Sequence, residues 1–138
     1  MTIVSGTATN ERLIIDWARL LSAHELDGLV QLFTDDVIYE DVTLGVVNRG
    51  KEALRTFAAQ FITVFPDVTL ELSLTFATAT RGGAEWVMRG TQSVDLPEVR
   101  ARGKRMELRG ASILEFAEGK IQRVSDYWDR SAFLEQLR

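Results

Sequence analysis

The chain has 138 residues, 46% of them hydrophobic and 26% charged, which suits one globular domain over residues 1–138 with a core and room for one internal pocket. Lysines and arginines number 16 and acidic residues 20, a net charge of −4 that argues against nucleic acid as the main partner. With no cysteine and the single histidine His24, disulfides, thiolate metal sites, iron–sulfur clusters, cysteine nucleophiles and paired-imidazole sites are excluded.

The remaining chemistry is that of Asp, Glu, Tyr, Ser, Thr, Arg and Lys. No stretch approaches the roughly 20 apolar residues that span a bilayer. Met1–Gly6 lacks the basic start and apolar run of a leader, so the expectation is a cytoplasmic protein without a membrane partner.

Leu13, Ile14, Trp17, Leu20 and Leu21 recur at the spacing of one helical face, predicting a helix over Thr9–His24 with Thr9 or Asn10 as its cap. A short second helix is predicted over Glu25–Phe33. After the Asp35-Asp36 turn, Val37–Val42 reads as a strand, and Gly45–Gly50 as loop. Leu54, Phe57, Ala58, Phe61 and Val64 share one face of a third helix, which Pro66 stops.

From there the pattern alternates with period two. Val68, Leu70, Leu72, Leu74 and Phe76 are expected on one side of a strand, and Gly82-Gly83 as the turn after it. Ala84–Val94 follows as a strand, Asp95–Gly103 as a loop. Arg105–Phe116 places Met106, Leu108, Gly110, Ser112, Leu114 and Phe116 on one face. Glu118-Gly119 turns into a last strand, Lys120–Trp128, and Ser131–Leu137 forms a short helix. Helices grouped ahead of a strand meander mean α+β rather than α/β.

Several segments together resemble the NTF2-like superfamily: Tyr39-Glu40-Asp41, Gly50-Lys51-Glu52-Ala53, Phe65-Pro66-Asp67, the hairpin Ile113–Ile121 and the closing Asp126-Tyr127-Trp128-Asp129. Within it the chain is most similar to the SnoaL-like polyketide cyclase group, over about Glu11–Leu137. The resemblance implies a cone: a curved antiparallel sheet wrapped by three N-terminal helices, with a short C-terminal helix. It also implies an apolar pocket with a few polar side chains at its floor, and frequent homodimers through the outer sheet face.

Asp41 matches the position of the general base in ketosteroid isomerase, a role that suits a carboxylate in an apolar pocket. Tyr39 shares its face by strand parity and offers a hydroxyl to a substrate oxygen. The isomerase's other oxyanion donors match Trp17 and Ser112, both departures from its pattern. Asp126 is similar in position to a water-activating aspartate of limonene-1,2-epoxide hydrolase. That enzyme's arginine matches Arg89, expected here to pair with Asp126 across the pocket. Its second aspartate is replaced by Thr91.

Ser112 is the polar residue on an apolar strand face, expected to aim its hydroxyl into the cavity. Trp17, Phe57, Phe61, Trp86, Met88 and Trp128 are candidate pocket wall for a small apolar ligand. Structural roles stand beside each of these: a strand-end cap for Asp41, a salt bridge for Arg89 and Asp126, core packing for the aromatics. His24 reads as a helix-end cap. The basic set Arg100, Arg102, Lys104, Arg105 and Arg109 reads as a solvated face.

No phosphate loop or dense acidic cluster is present, and no cofactor or metal is expected. The favoured activity is acid/base catalysis through an enolate on a small apolar carbonyl compound, of the cyclase or isomerase type. A non-catalytic binding or dimerisation module and an epoxide hydrolase are the alternatives.

Overall fold

The computed structural model describes residues 6–138; the leader reading of Met1–Ser5 lies outside them. Helix α1 (Gly6–Ser22) is followed by α2 (Leu26–Gln31), the hairpin β1 (Phe33–Asp41) and β2 (Val46–Arg49), and helix α3 (Lys51–Val64). Then come β3 (Thr69–Ala77), β4 (Arg81–Thr91), β5 (Arg105–Ala117), β6 (Lys120–Trp128) and α4 (Arg130–Leu137). The strands form one curved six-stranded sheet in the order β2-β1-β6-β5-β4-β3. The α+β architecture with a short C-terminal helix is as expected.

Several details differ, among them the expected Asp35-Asp36 turn, which lies inside β1. The sheet is mixed rather than antiparallel, because β1 pairs parallel to β6. The chain leaves the β1–β2 hairpin at one edge, re-enters at the other with β3, and meanders back until β6 runs in the direction of β1. The stretch Val46–Arg49, expected as loop, is strand β2. Gly82 and Gly83 lie inside β4; the turn before it carries Thr78 and Thr80, and the Thr78 hydroxyl accepts from the Arg81 amide.

The α1 face holds Ile14, Trp17, Ala18 and Leu20 against the concave side of the sheet. Asn10, rather than capping α1, is buried within it and donates to the carbonyls of Thr78 and Ala79. Burying Asn10 is tolerated because its amide is bonded. His24 ends α1 with φ of 59° and bonds the Val68 carbonyl through Nε2 at 3.0 Å.

Leu74 and Phe76 do not continue the inward face of Leu70 and Leu72. The β3–β4 register slips between Leu72, opposite Trp86, and Leu74, opposite Glu85. The extra residue, Ser73, inverts the alternation. Leu74 and Phe76 therefore stand on the outer sheet surface, 53% and 52% exposed. There the Phe76 ring covers Gly83, where a side chain would collide with it.

The larger apolar cluster fills the concave side between α1, α2, α3 and the sheet. A second, around Phe65, Met106, Leu108, Phe133 and Leu137, seats α4. Both contribute walls to one cavity.

Candidate active site

The cavity has a volume of about 420 Å³ and is mostly apolar. Phe57 and Phe61 reach it from the apolar face of α3, Trp17 from α1, and Trp86 and Met88 from β4. Tyr39, Asp41, Asp126 and Trp128 line the same cavity. They meet because β1 and β6 are neighbours, with Asp41 paired to Asp126 and Tyr39 to Val124. Partners across a ladder point to one face of the sheet, so the two carboxyls share the concave side.

Asp126 is the hub. Its Oδ1 accepts the Ser112 hydroxyl at 2.5 Å, and Ser112 Oγ in turn accepts Trp86 Nε1 at 2.9 Å. On the other side the Tyr39 side chain hydrogen-bonds to both Asp126 and Trp17. An indole N–H only donates. Trp86 therefore fixes the polarity of the Ser112 branch, and the Ser112 hydroxyl has the Asp126 carboxyl as its acceptor.

Burial raises the Asp126 carboxyl to about 7, with the nearby Asp41 charge adding to the rise; the bonds from Ser112 and Tyr39 pull the other way. Tyr39 is pushed well above its ordinary value, first by burial and then by the Asp126 charge, so its hydroxyl stays protonated and remains a donor.

Asp41 is only 6% exposed, and burial raises it as well. Its carboxyl accepts the Leu44 amide at 2.9 Å and the Trp128 indole at 3.1 and 3.0 Å. These N–H donors favour its charged form.

Two expectations need correction. Arg89 does not pair with Asp126. Trp86 and Met88 face the cavity, so strand alternation turns Arg89 to the outer surface. There its guanidinium bonds Glu71 at 2.8 Å and Glu107 at 3.4 Å. Thr91 bonds Asp67 through its amide and hydroxyl. No Asp–Arg–Asp arrangement faces the cavity among the described residues. Ser112 is fully buried behind Asp126 rather than part of the wall. Its hydroxyl positions the carboxyl instead of reaching a ligand.

Gly110, on the inner face of β5, shapes the site without a side chain. It pairs with Trp86 across β4 and β5, and a side chain built there would lie 2.2 Å from the indole. The bare backbone lets the ring lie across β5 with its nitrogen at Ser112. A glycine inside a strand is the signal that marks such an approach. Among the described residues no cluster of three or more acidic or histidine side chains is placed to hold a metal ion. None of their helices is long and apolar enough to cross a membrane. The basic set Arg100, Arg102, Lys104, Arg105 and Arg109 is exposed.

A sequence model of SnoaL-like polyketide cyclases matches residues 12–137. The chain belongs to that family. Solved structures similar to this SnoaL-like protein include a candidate polyketide cyclase from Xanthomonas campestris, 21% identical, with a TM-score of 0.86 over 97% of this chain and 100% of that one. A candidate polyketide cyclase from Silicibacter is 25% identical, with a TM-score of 0.83 over 99% of each chain. A protein of ketosteroid isomerase-like fold from Catenulispora acidiphila, in complex with trimethylamine, is 20% identical, with a TM-score of 0.79 over 91% of each chain. These likenesses bear on the fold; one fold of this kind hosts many chemistries.

Proposed function

We propose that this SnoaL-like protein is a cofactor-independent acid/base catalyst acting on a small, neutral, apolar carbonyl compound. The observation that carries the proposal is Asp126: a carboxyl on the cavity wall, raised to about 7 by burial and surrounded by fixed donors. A base titrating near neutrality is the most effective proton carrier there.

Ionised Asp126 removes a proton from the carbon next to the substrate carbonyl. The C–H electron pair moves into the carbonyl, forming an enolate. Tyr39, protonated and on the wall, turns its one hydroxyl hydrogen from Asp126, neutral once it has taken the proton, to the enolate oxygen. In a cyclisation the enolate carbon then bonds a second carbonyl carbon, and Asp126 returns its proton to the new alkoxide. In an isomerisation the proton returns to a different carbon. Both routes leave Asp126 ionised at the end. Trp17, Phe57, Phe61, Trp86, Met88 and Trp128 supply the apolar wall for the substrate. The outward turn of Arg89 speaks against the epoxide hydrolase alternative.

The proposal includes a homodimer through the outer sheet face, where Leu74, Phe76, Ile113 and Tyr127 are exposed. Exposed apolar groups gathered on one face favour a partner.

The catalytic reading is tested by exchange of carbonyl-adjacent hydrogens in deuterated water over a panel of neutral aryl ketones and β-keto esters. Wild type is expected to accelerate exchange for members that bind, and Asp126→Asn to lose at least about a hundredfold of that acceleration. Binding without acceleration for every member would establish a non-catalytic binding module instead.

A further inference from the structure

The resemblance to ketosteroid isomerase makes Asp41 a base, yet its surroundings are those of a fastener. The residues after it, Val42–Gly45, turn the chain from β1 into β2 and carry the lip of the cavity. Leu44 and Val46 line the cavity while remaining 46% and 37% exposed, so they stand at its entrance. The first two residues of this lip are tied to the end of β6. The Val42 amide donates to the Asp126 carbonyl at 3.0 Å. The Thr43 hydroxyl donates to the Trp128 carbonyl at 2.8 Å and accepts the Trp128 amide at 3.0 Å.

Asp41 completes the attachment: one carboxyl oxygen holds the Leu44 amide, and both hold the Trp128 indole. The Trp128 ring stands edge-on against Phe133 at 5.2 Å, and Phe133 packs against Phe65 at 5.9 Å. One side chain thus ties the lip to an aromatic wall that seats α4. The far rim is held separately, by Arg130 on Glu98.

We propose that Asp41 is the latch of the cavity entrance, a positioning residue that holds the 42–46 lip against Trp128 and so sets the bulk of apolar ligand admitted. The proton carrier is its neighbour. The latch works through acceptor oxygens rather than through proton transfer. Asparagine at 41 keeps an oxygen that both the Leu44 amide and the indole reach, and should replace it; alanine should not.

The experiment uses the intact chain. Exchange of the Leu44 amide and the Trp128 indole N–H is followed by NMR, together with acrylamide quenching of tryptophan fluorescence. All three tryptophans line the cavity, so quenching reports on access to its wall. In Asp41→Ala both exchange rates are expected to rise by roughly tenfold or more, from the loss of the acceptor oxygens, and quenching to increase. Amides in the middle of β6 should keep their protection, which separates release of the lip from unfolding. Asp41→Asn should keep wild-type exchange and quenching. Asp41→Ser, whose hydroxyl reaches the Leu44 amide but not the indole, should free the indole alone. Wild-type behaviour of Asp41→Ala, or an Asp41→Asn protein indistinguishable from it, would overturn the latch. None of these readouts needs turnover, so they fail or succeed independently of the catalytic proposal.

Discussion

The Ser112 hydroxyl lies 2.5 Å from Oδ1 of Asp126, and because Trp86 donates to the same hydroxyl oxygen, the Ser112 hydrogen has the carboxyl as its target. A buried acid is thereby given a donor that favours its ionised form, against the burial that favours its neutral form. The balance at about 7 depends on both.

Removing the donors should move that balance in a known direction. Ser112→Ala and Tyr39→Phe each withdraw a bond that lowers the Asp126 value, so the rising limb of the pH–rate profile should shift to higher pH. Asp41→Asn removes a neighbouring negative charge and should shift it to lower pH. Carbonyl-adjacent exchange rates between pH 5 and 9 measure both shifts. A midpoint unmoved in all three proteins would separate activity from Asp126.

The same titration is written in stability. The Asp126 value is raised above that of an unfolded aspartate, about 3.9. Its contribution is fully present below that unfolded value and is lost as pH rises through about 7. The shift of roughly three units corresponds to on the order of 4 kcal/mol. Asp126→Asn does not ionise, so its stability relative to wild type should improve steadily from pH 4 to pH 8. Urea unfolding across that range checks the sign.

Gly110→Ala places a methyl group against the Trp86 indole. The ring must lift, and its bond to Ser112 goes with it. Overpacking of this kind costs about 1–3 kcal/mol. The expected result is a lower melting temperature together with a changed tryptophan emission spectrum, from a residue that never touches the ligand.

On the outer sheet face, Phe76→Asp together with Leu74→Asp should convert the proposed homodimer to a monomer in sedimentation velocity while leaving the cavity intact. A wild-type chain that sediments as a monomer would end that proposal directly.

Arg89→Gln should leave the pH midpoint of exchange unchanged, since the guanidinium meets Glu71 and Glu107 on the surface opposite the cavity. A shifted midpoint would mean that the arginine reaches Asp126 after all.

The parts of this fold legible in the chain are those governed by local periodicity. The apolar stripe Ile14–Trp17–Leu20 placed α1, and the alternation through Met106, Leu108, Ser112 and Leu114 placed the inner face of β5. Parity alone sets Arg89 opposite Trp86 and Met88, away from the cavity. Parity failed where a single extra residue, Ser73, inverted β3 and carried Leu74 and Phe76 outward. Nothing in the local pattern distinguishes such a bulge from uninterrupted alternation.

Composition alone confined the chemistry to carboxyls, hydroxyls and basic side chains, because the chain has no cysteine and one histidine. Alternation alone put Tyr39 and Asp41 on one face. What required the tertiary structure was the meeting of Asp41, Asp126 and the indoles. The β1–β6 pairing is parallel and joins segments at opposite ends of the chain, with no short turn between them to set the register. A slip of one residue would have turned Asp126 outward and left the latch and the proton carrier on different faces of the sheet. That register is held by the packing of the whole concave side.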